Sequence, residues 1–359
     1  MSFLWSLLAF VLMLGIIIMI HECGHFMAAK AFGVHVHEFA LGMGPILFKK
    51  QGKETLYTIR ALPIGGYVMM AGENDGSVDE EEEDNWLKDV PQDKRLNNKP
   101  RWQQIIVMIA GVVMNFLLAA VLFVGLAMAR GTVTESPLPV VEEVVENMPA
   151  ANAGLQKGDR IIRAMSSDGQ VLTPKTQDDL VEFIQYNPGE SLFTIDRDGE
   201  EINVHMEPVK DEDGIYRLGF TSLANVRKIG SIEAIGVGLQ DMWNSAGSIF
   251  RSLGMLVQGK GLEGLSGPIG IYKVTDQVVS YGLSAYLALF ALISLNIGIF
   301  NLIPIPALDG GRILILLLEG LFRRKIPTKW VEGVIVASFV LLIGIMILAT
   351  YNDITRYFF

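Results

Sequence analysis

The chain has 359 residues, half of them hydrophobic, with 39 acidic against 29 basic residues and a formal net charge of −10. So apolar a composition excludes an ordinary soluble enzyme and fits a multi-span membrane protein carrying one polar domain. Nothing in it is a basic nucleic-acid footprint, so no nucleic-acid partner is expected. The single cysteine, Cys23, excludes an internal disulfide framework.

The first predicted element is an uncharged run, FLWSLLAFVLMLGIIIMI, from Phe3 to Ile20. No basic residue precedes it, and it is longer than the apolar core of a secretory signal. It therefore reads as a retained transmembrane helix over about 3–29. HECGH follows at 21–25. On a helix this spacing puts His21 and His25 one turn apart on one face, where both imidazoles can share a Zn²⁺ ion. Glu22 then stands beside the metal's water as a general base. Cys23 is turned off that face and reads as packing. By itself the motif is a weak signal, the alternative being two histidines that pair or cap within a helix bundle. Here it lies at the end of an apolar helix, where uncompensated His and Glu are costly.

Residues 34–72 alternate β-branched and aromatic side chains with glycine turns and predict three or four short strands. LGMGP (41–45) and PIGGY (63–67) are apolar turns able to dip into the membrane. An unpaired strand edge there would hold an extended substrate as one further strand; the alternative is a sheet that only buttresses the core. The acidic run Asp79–Asp84 reads as a solvated loop. A second span covers about 103–129.

Residues 131–224 predict one soluble α+β domain. Within it, 176–186 is an amphipathic helix capped by Thr176 and Asp179, and a hairpin turns at Asp198-Gly199. From 225 to 283 the pattern is amphipathic, with Trp243 and few charges, and suits a membrane-surface segment or a helix packed on the bundle. The third span, about 284–303, is interrupted by NLIPIPALDGG (301–311) before RILILLLEGLF continues. Two prolines, an aspartate and paired glycines are tolerated at membrane depth only where protein or a water-filled cavity surrounds them. The fourth span is about 332–350. Lysines and arginines crowd the segment between spans one and two and the 323–329 loop, which places both in the cytoplasm. Both termini and the 131–224 domain then lie outside.

Asp309, inside the broken span, completes a set. A catalytic zinc takes three protein ligands and keeps a fourth position open, and His21, His25 and Asp309 make that count.

These motifs together resemble the site-2 protease family of intramembrane zinc metalloproteases, in its bacterial regulator-of-sigma branch. HECGH matches the family's H-E-x-x-H, and NLIPIPALDGG its N-x-x-P-x-P-x-L-D-G-G. LGMGP and PIGGYVMMAGE match its membrane hairpin, LSGPIGI (265–271) the loop before its third span, and NAGLQKGDRI (152–161) the turn of its PDZ domain. The resemblance spans nearly the whole chain. It implies a polytopic α-helical protein of four transmembrane helices with a membrane-associated β-hairpin sheet and one inserted α+β PDZ domain. In that arrangement 1–130 and 284–359 form the two halves of the membrane core.

It also implies Zn²⁺, catalysis at the cytoplasmic side of a bacterial inner membrane, and cleavage of single-span transmembrane proteins, either an anti-sigma factor or signal-peptide remnants. Asn301, Pro304, Pro306, Gly42, Gly44, Gly65 and Gly66 are the expected substrate-binding residues, the alternative for Asn301 being a helix-breaking hydrogen bond within the third span. Two departures stand out. There is room for one PDZ domain where some members have two, and AGVVMNF (110–116) lacks the proline that usually precedes the second-span Asn-Phe pair. The rival reading is a membrane PDZ scaffold or a metal transporter without protease activity. A transporter predicts a related second half, and none is visible.

Overall fold

The computed structural model describes residues 3–73, 86–135, 137–211, 215–223, 225–257, 266–324 and 326–358. The acidic run at 79–84 lies outside these. The chain divides into two compact units, one formed by 1–129 with 234–359 and the other by 130–233.

Among the described residues of the first unit, four helices are long and apolar enough to cross a bilayer. They are α1 (Phe3–Ala31), α2 (Arg101–Arg130), α7 (Leu283–Leu302) and α9 (Thr328–Phe358). Lipid gives apolar side chains no reason to leave it, so helices associate in a bilayer through close packing of small residues. The sequence provides these where α1 meets α2. A Cβ on Gly24 would stand 2.3 Å from the Ala110 carbonyl oxygen, so the two backbones touch there. Below this contact Met13 and Ile17 of α1 pack with Phe290 of α7.

The broken third span is seen directly. Helix α7 stops at Leu302, residues 303–308 are irregular, and α8 (Asp309–Phe322) starts on Asp309. Gly310 and Gly311 sit at the turn because a Cβ on either would meet the carbonyl oxygens of Leu302 or Ile305 within 2.2–2.3 Å.

Strands β1 (Val36–Gln51) and β2 (Leu56–Met70) connect α1 to the stretch leading into α2. Both are bent by bulges, so four segments lie side by side. Phe39 and Ala40 face Val68 and Tyr67 on one side and Tyr57 and Thr58 on the other. The 66–70 segment is thus an edge with β1 on one flank. The carboxylate of Glu38, 5% exposed, accepts hydrogen bonds from Thr58 (2.5 Å), Arg60 (2.8 Å) and Tyr67 (2.8 Å). A buried carboxylate is tolerable when it is satisfied in this way.

The amphipathic stretch after the soluble domain forms two helices, α5 (Ser231–Val257) and α6 (Pro268–Ser280). Met242, Ala246 and Ile249 of α5 pack on Phe116 and Ala119 of α2 and on Leu295 and Ile299 of α7. Ile232, Trp243 and Phe250 on the same helix are exposed.

In the second unit, β5 (Arg160–Ser166), β6 (Val171–Leu172), β7 (Ser191–Arg197) and β8 (Glu200–Met206) form a sheet in the order β6-β5-β7-β8. The other strands of this unit are β3 (Thr132–Glu135), β4 (Glu143–Val144), β9 (Val209–Lys210), β10 (Tyr216–Arg217), β11 (Phe220–Thr221) and β12 (Asn225–Lys228), with the short helix α3 (Pro149–Asn152). Helix α4 (Gln177–Tyr186) covers the sheet through Leu180, Phe183 and Ile184. Its start is the capping box of Thr176 and Asp179. The β7–β8 turn falls at Asp198 and Gly199, both with positive φ, the conformation that a two-residue hairpin loop requires. β12 pairs with β3, so strand pairing in this unit continues past residue 224.

Candidate metal centre

Helix α1 delivers His21 and His25 one turn apart, and α8 delivers Asp309 from its first position. Both histidines are buried, at 7% and 6% exposure. Their Nε2 atoms lie 3.1 Å apart, and Oδ2 of Asp309 is 3.2 Å from one and 3.4 Å from the other. Zinc bonds of about 2.0–2.1 Å at tetrahedral angles require ligand atoms about 3.3 Å apart. The three donors thus already form one face of such a tetrahedron. Oδ2 of Asp309 is also buried with no hydrogen-bond partner among the described residues. Two nitrogens and an oxygen of this kind suit zinc, and the residues present fit it. Cys23 is not part of this cluster.

The outer nitrogens of the histidines are held as a metal site needs. Nδ1 of His25 lies 2.8 Å from the Val107 carbonyl, to which it donates. That fixes the tautomer and leaves Nε2 with a free lone pair. Nδ1 of His21 lies 3.2 Å from the amide of Asn115, which is fully buried, and the oxygen of that amide has no partner among the described residues. Turning the amide over brings oxygen opposite the ring, so that Nδ1–H donates to it and Nε2 is again left for a metal. Ser294 of α7 donates to the Asn115 carbonyl at 2.9 Å and ties this residue to the third span.

Close approach to the pair is possible only because residue 111 is glycine. A Cβ there would fall 2.4 Å from His25 Nε2 and 2.8 Å from His21 Cε1. Asn115 and Gly111 were not among the expected site residues. The AGVVMNF stretch (110–116) holds both residues, but neither a glycine nor an asparagine in an apolar helix identifies a histidine partner.

The donors open into a cavity of about 570 Å³ whose walls include Glu22, Gly66, Tyr67, Pro306, Leu308 and Arg312, with Ile335, Val336, Phe339 and Val340 of α9 on one side. Of the residues expected to bind substrate, Gly66 and Pro306 line it, and the Asn301 amide lies 3.5 Å from His21 Nε2. A Cβ on Gly66 would meet Glu22 Cγ at 3.5 Å, so the strand edge passes directly over the glutamate. Pro304, Gly42, Gly44 and Gly65 are not among the lining residues. Gly42 and Gly65 instead approach Leu62 and Met43 within the hairpin, and the Gly44 carbonyl accepts from Arg60 at 2.9 Å.

The model of peptidase family M50 matches residues 9–345. A Clostridium perfringens protein provisionally named a zinc metalloprotease is 36% identical over 99% of this chain and 98% of its own length. A Bacillus licheniformis protein named zinc metalloprotease RasP is 30% identical over 98% of this chain and 99% of its own. An Enterococcus faecalis protein, provisionally named the protease Eep, is 32% identical over 99% of this chain and all of its own. The chain belongs to peptidase family M50 and is a multi-pass membrane zinc metalloprotease.

Proposed function

We propose that His21, His25 and Asp309 hold the zinc, that Glu22 is the general base, and that the enzyme cuts peptide bonds within the transmembrane segments of single-span membrane proteins. The observation that carries this is the triangle of donor atoms, 3.1–3.4 Å on a side, opening into a cavity between apolar helices. When bound, zinc supplies Lewis acidity, which polarises a carbonyl and makes water nucleophilic near neutral pH. Glu22 takes the proton of the attacking water and delivers it to the leaving nitrogen. The Asn301 amide holds the substrate backbone beside His21.

A helical substrate hides its carbonyls in its own hydrogen bonds, so it must be drawn out before attack. The 66–70 edge supports a place for the extended form, because Gly66, Tyr67, Val68 and Met70 line the cavity while β1 occupies the other flank. A substrate added there as a strand gains main-chain hydrogen bonds beside Glu22. Asp309→Ala should abolish cleavage and weaken zinc retention; a fully active variant would mean that another residue is the third ligand.

The strand reading has its own test. With Tyr67→Cys in a Glu22→Gln, Cys23→Ser background, cysteines walked along a designed single-span substrate should cross-link with a period of two residues. A helical period would contradict strand addition. The 130–233 unit is proposed to be an extracytoplasmic PDZ domain. Its capped helix over an antiparallel sheet and the basic residues near the other side of the spans support that reading. An anti-sigma factor or remnant signal peptides are the proposed substrates.

A further inference from the structure

Among the described residues lining the cavity, the charged ones outside the metal-ligand end are Glu73 and Arg312. Arg312 lies one turn beyond Asp309 on α8, which keeps the two Cβ atoms within about 5–6 Å. Glu73 lies three residues beyond the end of β2, in a tight turn where its amide donates to the Met70 carbonyl at 3.2 Å. Nη1 of Arg312 bonds Oε1 of Glu73, and both side chains line the cavity that His21, Glu22 and Asp309 line. They are 19% and 10% exposed, so the pair has lost most of its water.

A pair dried to this degree is a poor source of stability, since its desolvation cost offsets much of the attraction. Its geometry matters more. One partner belongs to the helix that starts on Asp309 and the other to the exit of the 66–70 edge. The neighbouring backbone is fixed as well: the Ala71 amide donates to the His35 carbonyl at 2.9 Å, and the Ala71 carbonyl accepts from Leu96 at 2.7 Å.

We propose that the Glu73–Arg312 ion pair is a clasp that sets the distance between the substrate-holding strand edge and the helix bearing Asp309. This rests on the reading of 66–70 as the substrate edge. Glu73 and Arg312 are positioning residues, outside the donor set of His21, His25 and Asp309. They fix how far a strand-bound carbonyl lies from the metal ligands, and displacements near 1 Å there can cost on the order of a hundredfold in rate.

The test uses the full-length, zinc-loaded enzyme carrying Glu73→Gln, Arg312→Gln, Arg312→Lys or the exchange Glu73→Arg with Arg312→Glu. Two readouts are taken. One is the distance between spin labels at Met69, on the edge strand, and Leu317, exposed on α8. The other is kcat and KM on a designed single-span substrate.

Each Gln variant should lengthen or broaden the label distance and lower kcat by roughly tenfold or more, with KM within about threefold and zinc content unchanged. Arg312→Lys should retain more activity than Arg312→Gln, and the exchange should restore both distance and kcat. An unmoved distance in the Gln variants, or an exchange no better than either single change, would overturn the clasp. A distance that responds while kcat stays intact would overturn the link to substrate placement, and the fault would then lie in the strand-edge reading.

Discussion

Asn115 of α2 meets His21 of α1 across 94 positions of sequence, its amide 3.2 Å from Nδ1 of the imidazole. An outer partner of this kind fixes ring orientation, and losing one typically weakens metal affinity about 10–100-fold. Asn115→Leu should therefore lower zinc affinity by that order, read by competition with a chelator, while helix content is retained. Unchanged affinity would mean that His21 is oriented by its own helix alone.

Gly111 tests the helix contact behind the same pair. Gly111→Ala places a methyl 2.4 Å from His25 Nε2, and that methyl is fixed to the backbone and cannot swing away. Zinc content and cleavage should both fall to background. Gly125→Ala on the same helix, where a Cβ meets nothing within 4 Å, should leave both intact. It gains up to about 1 kcal/mol of helix propensity by the soluble-protein scale. Equal behaviour of the two variants would contradict the close-approach argument.

Asp353 anchors the fourth span. It is 1% exposed, and its Oδ2 accepts the Gly270 amide at 2.7 Å within the first turn of α6, where unpaired N–H groups favour a carboxylate. The other half of α9 lines the cavity that His21, His25 and Asp309 line. Asp353→Ala should cost about 1–2 kcal/mol, as the loss of a helix cap does, and lower the thermal midpoint in detergent. Asp353→Asn, which keeps an acceptor, should cost less. An unshifted midpoint in Asp353→Ala would show that the contact contributes nothing.

In the second unit Asp159 is buried at 1% exposure against Arg197, with contacts of 2.6 and 2.7 Å, and it also accepts the Gln156 amide. Burial pushes its carboxyl up, but the Arg197 and Gln156 hydrogen bonds outweigh this and hold it below its ordinary value of 3.8. A carboxyl depressed on folding stabilises fully above its unfolded pKa and loses that contribution as pH falls through the folded one. Limited proteolysis of the full chain should show this unit loosening only below about pH 4. Asp159→Asn should cost about 2–3 kcal/mol at neutral pH and flatten that acid dependence. A variant with the wild-type pH profile would exclude Asp159 as the acid-sensitive group.

The parts of this fold that were legible beforehand are those whose chemistry is local. HECGH needs only helical periodicity to bring two imidazoles together, and an uncharged run of eighteen residues has few alternatives to a bilayer. Asp309 stood out because prolines and paired glycines around a carboxylate make no sense on a lipid-facing helix. Asn115 and Gly111 stayed hidden for the opposite reason. An asparagine and a glycine in an apolar helix have many uses, and only the crossing of α1 and α2 shows which imidazole they serve. The Glu73–Arg312 pair likewise joins residues 239 positions apart, which no spacing rule connects. The hairpin glycines illustrate a different limit. Turn chemistry located the bends, but it could not tell that Gly66 faces the cavity while Gly42, Gly44 and Gly65 do not.

The most direct test of the central claim is zinc content together with cleavage of a designed single-span substrate, comparing wild type with Glu22→Gln. Stoichiometric zinc in both proteins, with cleavage by wild type alone, is the predicted result and assigns the proton transfer to Glu22. Zinc-dependent cleavage that survives Glu22→Gln at the wild-type rate would contradict it.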